Sequence, residues 1–213
     1  MLKFEQSRVA LVVLGLMFGG CATTTNIPNA GGVPPTQVDP SVAGPVSGVG
    51  IESHDIVAMT DEMMRDMLAN PTLAGRAKAP RVVIDSGYFK NAGSQAINRD
   101  LITSRLRVNL NRASQGRMSF VTRTNLTMVQ SERDMKRDGT TDEGTTGKTA
   151  AMAGADFRLQ GEIASLDSRN VRTGLLQRYN QITFEMLDLE TGEIVWSGQY
   201  EVERAAADDV VYR

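Results

Sequence analysis

Apolar and polar positions follow three different rules along this chain. Residues 22–50 have no period at all. From Ile51 to Gly139 apolar residues recur every three to four positions, and after Asp156 they recur every second one. Helical spacing predicts a first helix over 53–70, with Ile56, Met59, Met63 and Met67 on one face and Met64 and Leu68 widening it. Ser53 or Asp55 can cap its start, and Asn70-Pro71 ends it. Flexible thioethers suit an adaptable binding groove, but a methionine stripe at this spacing reads first as a core face. The β-branched run RVVID at 81–85 predicts a short buried strand, followed by a loop at 86–94 with Tyr88 and Phe89 as an exposed pair. A second helix runs from Ser94 toward a stop at Gly116, carrying Ile102, Leu106 and Leu110 at successive turns. MSFVT at 118–122 predicts a second strand. Residues 125–139 form a helix with Leu126, Met128, Val129 and Met135 as its apolar positions. A Gly/Thr loop at 139–147 and a short Ala-rich helix at 146–155 complete this part.

In the last third the period drops to two. Phe157, Leu159, Gly161 and Ile163 alternate with polar neighbours, as do Ile182, Phe184 and Met186. Between them, 167–177 reads as a basic loop holding Arg169 and Arg172. The turn Glu190-Thr191-Gly192-Glu193 then opens a hairpin whose second strand places Ile194, Trp196 and Gly198 on one face. The expected order is helix, strand, helix, strand, helix, helix and three strands. Strand–helix–strand units pair in parallel, and the last three strands form an antiparallel meander. The fold class is therefore α/β (α+β), a mixed β-sheet flanked by helices, over 51–205. Residues 206–213 are expected to fray.

Composition changes this picture at the N-terminus. Residues 22–50 hold five of the chain's seven prolines, five glycines and one charge, Asp39. Such a stretch cannot bury enough apolar surface to offset its ordering, so it reads as a disordered tether. It spans about 30 Å as a coil and up to about 90 Å extended. Before it, Lys3 and Arg8 precede an apolar run from Val9 to Phe18, then Gly19, Gly20 and the sole cysteine, Cys21. This is the order of a secretory signal peptide over 1–20, too short to span a bilayer.

Charge and chemistry mostly exclude functions. The formal net charge of −2 is spread along the chain and gives no case for nucleic acid. A single cysteine, Cys21, provides neither a disulfide within the chain nor a cysteine-cluster metal site. The one histidine, His54, leaves histidine-based catalysis and metal clusters without their parts, and it reads as a solvated or capping residue. No cofactor or metal is expected. Gly147-Lys148-Thr149 resembles the end of a phosphate-binding loop, but Asp142 stands where that motif needs glycine and no strand leads into it. Carboxylate chemistry at Asp138, Asp142 and Glu143 would sit in a Gly/Thr loop with nothing to hold a geometry. Arg99, Arg105, Arg107 and Arg112 oppose a single Asp100 on the second helix; they read as a solvated face, with an acidic partner surface as the alternative.

Two resemblances rest on these residues. The small residues before Cys21 resemble the lipobox of bacterial lipoproteins, with Phe18 where that pattern has Leu most often. The resemblance implies cleavage after Gly20, lipidation of Cys21 and, because Ala22 follows instead of Asp, an outer-membrane home facing the periplasm. Further along, IDSGYFKNAGSQAI at 84–97, GADFRLQGEIAS at 154–165 and TGEIVWSG at 191–198 stand in the same order as in LpoB-type lipoproteins, activators of penicillin-binding proteins. That resemblance implies a fold similar to the N-terminal domain of TolB. It also implies non-enzymatic work: the tethered domain binds a bifunctional penicillin-binding protein and stimulates peptidoglycan synthesis. No partner-binding residue carries over. The tether is short for that family, and the loop at 166–178 is long and basic. An outer-membrane assembly or secretion lipoprotein, with membrane-inserting amphipathic strands, is the alternative.

Overall fold

The computed structural model describes residues 27, 30–32, 34–45, 47–141 and 151–207. Residues 1–20, Cys21, Asp142, Glu143, Gly147-Lys148-Thr149 and 208–213 lie outside them. The chain divides into units 1–36 and 37–213. Described residues of the first hold turns but no helix or strand. Every described helix and strand belongs to the second unit.

The core of that unit begins before Ile51. Gly48, Val49 and Gly50 are buried, so the last residues of the expected tether belong to the domain. α1 (Ser53–Ala69) buries Ile56, Met59, Met63 and Met67, which settles its methionines as core. Asp55, not Ser53, closes its first turn by accepting from the Glu52 amide at 2.8 Å. Pro71 stops it and starts a single further turn, α2 (Pro71–Ala74), which buries Leu73.

The sheet has the order β2-β1-β3-β4-β5, with β1 parallel to β2 and β3, and β3, β4 and β5 antiparallel. It is a mixed sheet, as the periodicity implies. β1 (Arg81–Asn91) continues through the expected loop. Ile84 faces Leu159 and Phe89 faces Gly161, so four residues of β1 oppose one of β3. That bulge re-aims the chain: Tyr88 points outward at 41 % exposure, whereas Phe89 is buried and stacks on Phe184 with centroids 5.0 Å apart. The expectation of an exposed Phe89 fails because pairing across the bulge, not local composition, sets its direction. Gly161 makes room for it; a Cβ there would strike the Phe89 ring and the Thr183 carbonyl.

α3 (Arg99–Ala113) starts five residues later than Ser94, where the Asn98 side chain accepts from the Asp100 amide. Ile102, Leu106 and Leu110 face the core. β2 is only Ser119–Phe120. α4 (Leu126–Arg137) forms, but it buries no residue. Residues 151–155 are not helical, so the Ala-rich helix is absent over that part.

The largest departure is the hairpin between β3 (Phe157–Arg169) and β4 (Leu175–Asp188). The expected basic loop at 167–177 is mostly strand, paired without interruption down to Arg169 and Leu176. Asn170 closes the tight turn by accepting from the amides of Arg172 and Thr173. β5 (Ile194–Ala207) pairs with β4 to its end, so Ala206 and Ala207 are ladder residues, not a frayed tail. α1 and α3 cover one face of this sheet. Trp196 lies on that face, 6 % exposed, its indole N–H donating to Asp66 at 2.6 Å.

Candidate interaction surfaces

Among the described residues no group of three His, Cys, Asp or Glu side chains is placed to hold a metal, and no helix is long and apolar enough to cross a membrane. Asp138 is exposed and caps the C-terminal end of α4. The features that stand out are one buried ionic cluster and two open surfaces.

The cluster fastens the incoming chain to the last strand. Arg204 of β5 donates through both terminal nitrogens to Asp55, each at 2.8 Å, and to the Gly50 carbonyl at 2.7 Å. Asp55 is 2 % exposed, and such a carboxylate is tolerable only because it is doubly paired. His54 sits 3.1 Å from Arg204, with Glu52 and Asp55 within 3.4 Å. The single histidine therefore belongs to this latch. Asn180 donates to the Val49 carbonyl, and Gln95 both accepts from and donates to the Ile51 backbone. β4, β5 and the loop before α3 thus hold residues 49–51 in place. A second pair, Arg178 on Asp167 at 2.6 and 2.8 Å, joins β4 to β3 near the hairpin turn. The Arg178 hydrogen bonds hold the Asp167 carboxyl below its usual range against the opposing effect of burial.

The arginines of α3 are not a free basic face. Arg99 donates to the Phe89 carbonyl and Arg107 to that of Ile84, satisfying backbone groups on either side of the β1 bulge. Arg105 binds Thr60 and Asp61 of α1. Only Arg112 of the four lines open surface without such a structural bond, beside Asp61, Arg65 and Asn109. Their roles are invisible in sequence because each acceptor lies on another element.

The first open surface is apolar. Leu126, Met128 and Met135 of α4 are 40, 65 and 40 % exposed, and Met152 is 36 % exposed. Leu126, Met135 and Met152 line a shallow groove with Gln130, Asp134 and Asp138. Leu126 also borders a second depression, about 400 Å³, over the buried Val83, with Tyr88, Arg158 and Leu189 at its sides. Arg158 lies over the Tyr88 ring, 4.4 Å from its centroid. Contiguous apolar exposure of this kind marks interaction surfaces. The methionines of α1 are core, as their spacing implied, and the exposed ones are Met128 and Met135 of α4 and Met152.

The second open surface is the outer face of β3, β4 and β5. Gln160, Glu162, Gln181, Thr183, Glu185, Gln199, Glu201 and Glu203 share this polar side. Tyr179 donates to Glu201 and Gln177 to Glu203, each at 2.6 Å. The bond to Glu201 raises the Tyr179 hydroxyl's pKa.

Among known proteins, the profile of the family described as peptidoglycan-synthase activator LpoB matches residues 55–202. The LpoB C-terminal domain from Salmonella enterica is similar at 19 % identity and TM-score 0.39, covering 68 % of this chain and 96 % of that one. A lipoprotein from Neisseria meningitidis is similar at 14 % identity and TM-score 0.29, covering 60 % of this chain and 84 % of that one. No curated protein matches the chain.

Proposed function

The chain belongs to the family of the peptidoglycan-synthase activator LpoB, and on that premise we propose that it is an outer-membrane lipoprotein that binds a bifunctional penicillin-binding protein and stimulates its peptidoglycan synthesis. The observation that carries the reading is the profile match, which runs from the first turn of α1 into β5 and so takes in most of the described domain. The N-terminal sequence supports the rest. Cys21 would carry the lipid, and several acyl chains hold firmly where one holds weakly. The Pro/Gly-rich residues after it would let the domain reach through the peptidoglycan layer.

Activation by such a protein is a population shift: the domain binds one state of the synthase more tightly, and its tether raises the effective concentration near the substrate. No catalytic group is required of the domain. His54 serves the latch, and the acidic residues of the outer sheet face are hydrogen-bonded on an open surface.

The assembly or secretion alternative gains nothing from the strands. They are longer than expected, but their apolar face (Ile163, Ile182, Phe184, Met186 and Trp196) is buried in one cluster with residues of α1 and α3, which leaves no apolar side to face lipid. The test is glycan polymerisation by the cognate bifunctional synthase in detergent micelles, with and without the full lipidated chain. Stimulation together with co-purification of the two proteins is expected. No stimulation and no binding would reject the reading.

A further inference from the structure

β5 ends the sheet, and among the described residues no strand pairs with its outer edge. It is 14 residues long and pairs regularly with β4 from Ala207 back to Trp196. Proteins blunt exposed edges by shortening them, bulging them or placing proline in them. None of these devices interrupts this edge between Trp196 and Ala207. What it carries is charge: Arg204 turns inward to Asp55, and the charges on its outer face are all negative. Glu201 and Glu203 stand on the outer face of β5, with Glu185 on β4 and Glu162 on β3 behind them. The contacts of Glu201 and Glu203 are all with neutral groups: Tyr179, Gln199 and Gln177. The cations of this face, Lys90 and Arg158, lie on β1 and β3, away from the β5 edge.

This pattern selects an occupant. Two copies of β5 pairing antiparallel about Val202 would set Glu201 opposite Glu203, pairing about Glu201 would set that residue opposite itself, and like charges directly opposite destabilise a ladder. A second copy is therefore disfavoured in these central registers. A strand with Lys or Arg at alternate positions would place its cations beside Glu201 and Glu203 while its backbone satisfied the open edge. We propose that β5 is a docking edge for an extended, basic segment of the partner protein, added to the sheet as a sixth strand. That the partner is a peptidoglycan synthase rests on the proposed activator function; the edge and its charge preference do not.

The test uses the full chain in uncharged detergent micelles and two twelve-residue peptides, one alternating Lys and Thr, the other alternating Glu and Thr. Amide hydrogen exchange is followed residue by residue. The basic peptide is expected to slow exchange about tenfold or more at alternate residues of 194–207, and the acidic peptide to leave it unchanged. E201K/E203K should reverse the preference; if circular dichroism shows that variant unfolded, E201Q/E203Q should abolish it. Unchanged exchange in β5, protection elsewhere, or equal response to both peptides would overturn the proposal. The synthase assay separates the two readings. Full stimulation by folded E201K/E203K would retire the docking edge and leave activation standing. No stimulation by the unaltered chain, with the peptide response intact, would retire activation and leave the edge.

Discussion

At the scale of single residues, the most consequential side chain is Asp55. It closes the first turn of α1 and receives two hydrogen bonds from Arg204, which also holds the Gly50 carbonyl. Removing one partner of a buried pair leaves the other charge uncompensated. Asp55→Ala is therefore expected to cost about 3–5 kcal/mol in denaturant unfolding and to speed amide exchange at residues 49–52. A loss near zero would mean the latch does not hold the incoming chain. Asp167 gives a pH prediction. Its folded pKa lies below the unfolded value, so its contribution is present above about pH 4 and is lost as the pH falls further. Asp167→Asn should flatten the fall in melting temperature between about pH 5 and pH 2. An unchanged profile would show that the ion pair contributes nothing.

At the scale of elements, α1 and α4 make opposite use of similar residues. Both are amphipathic and methionine-bearing, yet α1 buries its stripe and α4 buries nothing. Their substitutions should differ accordingly. Trp196→Ala, which empties the contact between β5 and α1 and removes the bond to Asp66, should cost about 3–5 kcal/mol. Met135→Ser on α4 should change stability by less than about 0.5 kcal/mol, as surface substitutions do. Comparable losses in thermal unfolding would place α4 in the core instead. β1 makes the same point within one strand. Its direction change depends on the bulge, on Gly161 giving way to Phe89, and on two α3 arginines that satisfy the neighbouring carbonyls.

At the scale of the whole molecule, the proposed activity depends on reach as well as on the domain. Deleting about half of residues 22–47 should leave the domain's melting temperature unchanged and abolish function in cells, because the folded core begins at Gly48. Full activity after that deletion would remove the tether from the mechanism.

The sequence by itself determined what is local. Periodicity located α1, α3 and the cores of β1, β3, β4 and β5, because each apolar face is written in the spacing of its own residues. The mixed sheet followed from the order of those elements, and the proposed lipid site at Cys21 rests on a linear signal. Only the tertiary structure decided what depends on a distant partner. Phe89 turned inward because Gly161, 72 residues later, left room for it. The apparent loop at 167–177 became strand because its two halves and β5 pair with one another, against their polar composition. His54, Arg99, Arg105 and Arg107 found structural work on other elements. α4 kept its apolar side in the open because, among the described residues, none of its side chains is buried under another element. Spacing along a chain reports which face of an element is apolar; it does not report what, if anything, covers that face.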